Sequence, residues 1–198
     1  MTTFRDRCRD TCVIGDVGEW WTELYLRLYA NTERWIKTDK GTLHREIQER
    51  FGDFVISNPD GSMAFLESKA EQDYAGKRRN IVMETYSNYD PSWPAGDPRI
   101  VEGWFSKSRC DYLFYAFVGP GDLYIIDFPR LREWSRERFH ILRPFVQGKN
   151  RQRNRTCGYL ALVEDVLREV PSKHCRYIGG GFEFVYQHPG FVAPWESR

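Results

Sequence analysis

The chain has 198 residues, 41% hydrophobic, 16% aromatic and 29% charged, with a formal net charge of +1. That length suits one domain around one sizeable core, and the apolar content excludes a disordered chain. The near-neutral balance excludes overall basicity as a source of nucleic-acid affinity, and the longest apolar run, residues 112–118, is too short to span a bilayer.

The five cysteines, Cys8, Cys12, Cys110, Cys157 and Cys175, are odd in number and irregularly spaced. They read as reduced thiols of a cytoplasmic protein. Residues 1–16 form a polar lead-in carrying Arg5, Asp6, Arg7, Arg9 and Asp10, without the apolar stretch of a signal peptide. Cys8 and Cys12, with Cys175 beside His174, fit no standard zinc spacing. The histidines, His44, His140, His174 and His188, are scattered and read as ordinary surface or core residues.

Taken in order, residues 17–29 place Val17, Trp20, Trp21, Leu24, Tyr25 and Leu28 at helical spacing, with Asp16 as N-cap. Glu19 and Glu23 share one face of that helix. Residues 43–51 fit a short helix, residues 53–57 a strand, and Asn58-Pro59-Asp60-Gly61 a turn. Strands over 62–73 and 80–86 follow.

Side chains alternate faces along a strand. Met63, Phe65, Glu67, Lys69, Glu71 and Asp73 therefore point one way, and Ala64, Leu66, Ser68 and Ala70 the other. Carboxylates gathered around a lysine suit a hard, oxygen-seeking cation. A charge such as Glu84, within the apolar run Ile81-Val82-Met83, is costly unless paired or on a metal. A buried Lys69–Glu84 ion pair is the structural alternative.

Residues 87–100 hold three prolines and form a loop, in which Trp93 plugs the core or offers a stacking surface. Residues 112–118 read as a buried strand, 119–122 as a hairpin turn and 123–128 as the return strand. Pro129 opens a helix over 130–139. Between Arg130 and Arg155 stand nine Lys or Arg against two Glu, so 130–155 is a basic helix and loop. Lys149, Arg151, Arg153 and Arg155 are its candidate nucleic-acid contacts. Residues 160–170 give a short helix or strand–helix piece and 177–186 a last strand with a glycine bulge or bend. The sum is one α/β (α+β) domain with a mixed central sheet flanked by helices.

Pro59-Asp60, six residues, then Glu67-Ser68-Lys69 resembles the motif of the PD-(D/E)xK nuclease superfamily. Glu67, Lys69, Glu71, Asn80 and Glu84, with Gly103-Trp104 and Asp111-Tyr112, look like its phage and mobile-element branch, over roughly residues 17–135. The resemblance implies a restriction-endonuclease-like core, acids on adjacent strands holding Mg²⁺ or Mn²⁺, and a lysine orienting the attacking water. Position 86 departs from it, holding Tyr86 where the strand ending in Glu84 would carry a lysine. Two registers follow: Asp60, Glu67 and Lys69, or Lys69 with Asp73 and Glu84. Glu67, Lys69, Asp73 and Glu84 are thus the candidate catalytic residues, with Glu67, Asp73 and Glu84 on metal and Glu19 or Glu23 completing the shell. The implied function is metal-dependent hydrolysis of DNA, with RNA as the other substrate. A homodimer meeting at Trp20, Trp21 or Trp104 is a further expectation. The alternative is a nuclease fold without catalysis that binds nucleic acid or protein.

Overall fold

A computed structural model describes residues 11–30, 35–38, 48, 50–58, 60–72, 79–147 and 155–196. The chain runs through α1 (Thr11–Tyr29), β1 (Trp35–Lys37), β2 (Phe54–Ser57), β3 (Met63–Glu71), β4 (Asn80–Tyr89), β5 (Val101–Glu102), α2 (Trp104–Lys107), β6 (Tyr112–Phe117) and β7 (Asp122–Asp127). It continues through α3 (Phe128–Arg138), β8 (Arg143–Gln147), β9 (Arg155–Leu162), α4 (Val163–Glu169), β10 (Ser172–Ile178), β11 (Gly181–Gln187) and a final 3₁₀ turn (Pro194–Glu196).

Seven strands form one mixed sheet in the order β1-β2-β3-β6-β7-β10-β11, and four form a second in the order β5-β4-β9-β8. In the large sheet β3 and β6 are parallel, with Lys69 opposite Tyr115, and every other pairing is antiparallel. A parallel pair needs a crossover. Here β4, β5 and α2 lie along that crossover.

Each face of the large sheet carries its own core. On one face α1 delivers Trp21, Tyr25 and Leu26 to Leu66, Phe114 and Trp195. On the other, β4 brings Ile81 and Met83 and α3 brings Leu131 against Leu113 and Tyr115. Ala64 and Leu66 belong to the first core and Phe65 packs on the second, the alternation expected of β3. Thr22 and Ser68 share a hydroxyl–hydroxyl hydrogen bond of 3.1 Å between α1 and β3.

The mixed α/β architecture agrees with the sequence reading, and several elements correct it. Helix α1 begins by Thr11 rather than after a lead-in ending at residue 16, so Asp16 lies inside the helix and not at its cap. Ile14 explains the extension, being buried against Val118. The strands expected at 62–73 and 80–86 are not neighbours: β3 pairs with β2 and β6, whereas β4 pairs with β5 and β9. The basic stretch 130–155 contains a strand, β8, paired along β9. The single strand expected at 177–186 is a hairpin, because Gly179 and Gly180 adopt φ of +60° and +96° and turn the chain between β10 and β11. The helix expected at 43–51 falls largely outside the described residues. Helix α3 starts as expected near Pro129, with the Asp127 side chain accepting from the Arg130 backbone N–H. Trp93 is half-buried, with the Arg99 guanidinium 4.4 Å from its ring centre.

Among the described residues no helix is long and apolar enough to cross a membrane. Trp21 is buried in the first core, so of the tryptophans expected at a contact between copies only exposed Trp20 and half-buried Trp104 reach the surface.

Candidate active site

The site is built from the β2–β3 hairpin. Ser57 pairs with Met63 beside the turn, and Phe54 with Leu66 at the open end. One further step sets Asp53 beside Glu67. The Ser68 backbone N–H duly donates to Asp53 Oδ2 at 2.9 Å, and Gln48 Nε2 donates to Asp53 Oδ1 at 3.3 Å. Asp53 and Glu67 are both buried.

Lys69 follows Glu67 on the same face of β3 and closes an ion pair with Glu67 Oε1. The second carboxylate oxygen, Oε2, accepts from the Ser108 hydroxyl at 3.3 Å. The Lys69 ammonium also sits 5.6 Å from the Trp104 ring centre, a cation–π contact. Lys69 is thus held from two sides by the fold rather than reaching freely into water.

Lys69 also lines a cavity of about 310 Å³ with Glu71, Glu84, Trp104, Tyr115 and Phe145. Here the two sheets meet, β3 supplying Lys69 and Glu71 and β4 supplying Glu84. Tyr115 Oη accepts from the Val82 backbone N–H at 3.0 Å and lies 3.4 Å from Glu71 Oε1, to which it donates.

Burial dominates the electrostatics. It pushes the Glu67 carboxyl above its ordinary value; Lys69 pulls it back and the Asp53 charge adds to the rise. Burial alone would lower the Lys69 ammonium, yet Glu67 and Asp53 hold it above its ordinary value. Glu71 is raised by burial, as is Glu84 against the opposing pull of Lys69 and Lys107. A carboxyl raised on folding favours the native state while protonated. Its contribution is full below the ordinary value near 4.5 and is lost as pH rises through the raised one. Glu84→Gln stays neutral throughout, so the variant's urea midpoint is expected to exceed the parent's near pH ~8 and to match it near pH ~4. A lower midpoint near pH ~8 would show that Lys69 and Lys107 outweigh burial.

The other expected residues fall in different places. Asp60 sits in the exposed turn, accepting from the Ser62 backbone N–H at 2.9 Å and the Ser62 hydroxyl at 2.7 Å. It lies at the turn end of the hairpin, whereas Glu67 and Lys69 lie toward the open end, so the fold does not bring it to them. Glu84 reaches the Lys69 cavity, though from a strand of the other sheet; the ion partner of Lys69 is Glu67, not Glu84. Glu19 and Glu23 both pair with Lys37 of β1, at 2.9 and 3.2 Å. Arg155 opens β9 and is exposed. Asp73, Lys149, Arg151 and Arg153 lie outside the described residues.

The residue that sequence reasoning missed is Asp53. Its signal was present: an acid at the mouth of the strand that a turn around residue 60 folds back onto Glu67. Among the described residues no three of His, Cys, Asp and Glu gather as a metal site. Two carboxylates still suit Mg²⁺, which takes one or two protein carboxylates and keeps several waters. The donors at Asp53 and Glu67 are all oxygen, so the residues present fit such an ion. Cys175 packs in the first core, whereas its neighbour His174 bonds Asp122 through Nε2 at 3.0 Å.

Set against family models, curated proteins and solved structures, the chain matches none. The class that fold and site define is a mixed α/β protein whose central hairpin holds two buried carboxylates around one lysine.

Proposed function

We propose that the chain is a nuclease that hydrolyses phosphodiester bonds of DNA with Mg²⁺ or Mn²⁺ held by Asp53 and Glu67. The observation that carries this reading is the gathering of Asp53, Glu67 and Lys69 at the open end of one hairpin, beside a cavity where two sheets meet. It retains the nuclease expected from the Glu67-Ser68-Lys69 motif and replaces Asp60 by Asp53.

A divalent cation bound there lowers the pKa of a coordinated water and offsets phosphate charge. Glu67 and Asp53 supply its oxygen donors. Lys69 orients the attacking water with its N–H donors and faces the charge that grows on the phosphoryl oxygens, where a fixed cation acts more strongly than in bulk water. Ser108 and Trp104 keep the Glu67 carboxylate and the Lys69 ammonium in place. Glu84 across the cavity, with Glu71, adds further acids beside Asp53 and Glu67. Arg155, with Lys149, Arg151 and Arg153, contributes phosphate contacts whose strength falls as salt rises.

The test is conversion of supercoiled plasmid by the purified chain in Mg²⁺ or Mn²⁺, with a chelator control. Nicking or linearisation that the chelator abolishes is expected. Undiminished binding of DNA without any cleavage would instead favour the alternative, a non-catalytic binding module. The direct Lys69–Glu67 ion pair is the observation that speaks for that second reading, since it satisfies both groups without a ligand.

A further inference from the structure

Beyond Glu84, β4 does something irregular. Glu84, Tyr86 and Tyr89 face Gly158, Cys157 and Arg155 in turn, with register shifts on both sides of Tyr86. In each interval β4 carries one residue more than β9, the signature of a bulge. Residues three apart in a regular strand point to opposite faces. The shift between them instead brings Tyr86 and Tyr89 together, ring centres 4.9 Å apart and planes 25° from parallel.

The pair serves neither core. Tyr86 is 37% exposed, and among the described residues neither tyrosine belongs to a core cluster and neither hydroxyl has a hydrogen-bond partner. Bulges recur beside functional sites, where they re-aim a side chain. Glu84, two residues back, lines the Lys69 cavity, but its partner Gly158 and the Tyr86 partner Cys157 are adjacent on β9, so Tyr86 and Tyr89 present their rings on the face of β4 opposite to Glu84.

Charge gives the stack a direction. On one flank Glu102 of β5 pairs with Tyr86. On the other, exposed Arg155 of β9 pairs with Tyr89 and has no carboxylate partner among the described residues. A polyanion crossing the tyrosines is favoured on the β9 side.

We propose that Tyr86 and Tyr89 form a stacking platform for an unpaired nucleobase of single-stranded DNA, with Arg155 taking the adjoining phosphate. This rests on the nuclease reading for its choice of DNA as ligand, but the platform itself is a binding site and is tested without catalysis. Every base offers a π-face, so such a platform prefers unpaired strands without reading sequence.

The test is fluorescence anisotropy of a labelled oligo-dT with the full chain in EDTA, so that nothing is cut. Tyr86→Ala and Tyr89→Ala should each weaken binding roughly tenfold, as the loss of one base stack does. Tyr86→Phe, which keeps the ring, should stay within about twofold, and Arg155→Gln should flatten the salt dependence. A blunt duplex of the same length should be indifferent to both alanine variants. An oligo-rU arm with the same tenfold loss supports the platform, and the tighter of the two oligomers names its source. Parental affinity in Tyr86→Ala, an equal loss on duplex, or no oligonucleotide binding at all overturns the proposal. A chain that binds through these tyrosines yet never cuts plasmid leaves the platform standing while removing hydrolysis.

Discussion

Lys69→Ala is expected to slow Mg²⁺-dependent cleavage of plasmid by about a hundredfold or more, with DNA affinity within about twofold of the parent. Among the described residues the ammonium is the cation that both pairs with Glu67 and lines the Glu84 cavity, a position Lys107 does not share. Its removal has a second consequence. Glu67 is already raised by burial and by the Asp53 charge, and losing its partner raises it further. The variant should therefore need higher pH and more Mg²⁺ to recover even its residual rate. Asp53→Asn and Glu67→Gln should lose cleavage to a similar degree, and adding Lys69→Ala to either should cost little more, because residues acting as one unit are not additive. Asp60→Asn separates the registers: its carboxylate is engaged by Ser62 in the turn, so cleavage should persist. Parental cleavage in Lys69→Ala, or its loss in Asp60→Asn alone, would defeat this site.

Gly52→Ala should cost about 3 kcal/mol of stability. Gly52 has φ of +121°, a conformation that side-chain-bearing residues rarely adopt. A Cβ there would stand 2.4 Å from the Leu66 carbonyl oxygen and 2.7 Å from its carbon, both rigid backbone of β3. The Gly52 carbonyl also accepts from the Thr38 hydroxyl at 2.8 Å, so the peptide cannot rotate away cheaply. For a chain of this size the melting temperature should fall by about 6–12 °C, measured by circular dichroism. Cleavage should fall as well, since the strain lies between Asp53 and the β3 segment holding Glu67. A variant as stable as the parent would mean that β2 enters the sheet differently.

Much of the site was legible locally. The two faces of β3 follow from period-two alternation, and Ala64, Leu66 and Ser68 do face α1 while Glu67 and Lys69 face the second core and α2. The turn signal at 58–61 was equally clear. What went unread was its consequence, that folding the chain back there sets Asp53 rather than Asp60 beside Glu67. The Pro-Asp pair of the motif drew attention to the turn, where Asp is common for its own hydrogen bonds. The hairpin at Gly179-Gly180 was missed for a related reason: aromatic and β-branched residues on both sides read as one strand unless the glycines are given positive φ.

By itself the sequence determined the local periodicities, the turns, the helix start near Pro129, and the acid–lysine cluster of β3. Only the tertiary structure decided that β4 belongs to a second sheet, that Glu84 meets Lys69 across a cavity instead of along a shared ladder, and that bulges stack Tyr86 on Tyr89. Alternation and turn chemistry are properties of neighbouring residues. The choice of strand partner is settled by which distant surfaces bury each other and complete each other's backbone hydrogen bonds, and no local pattern carries that information.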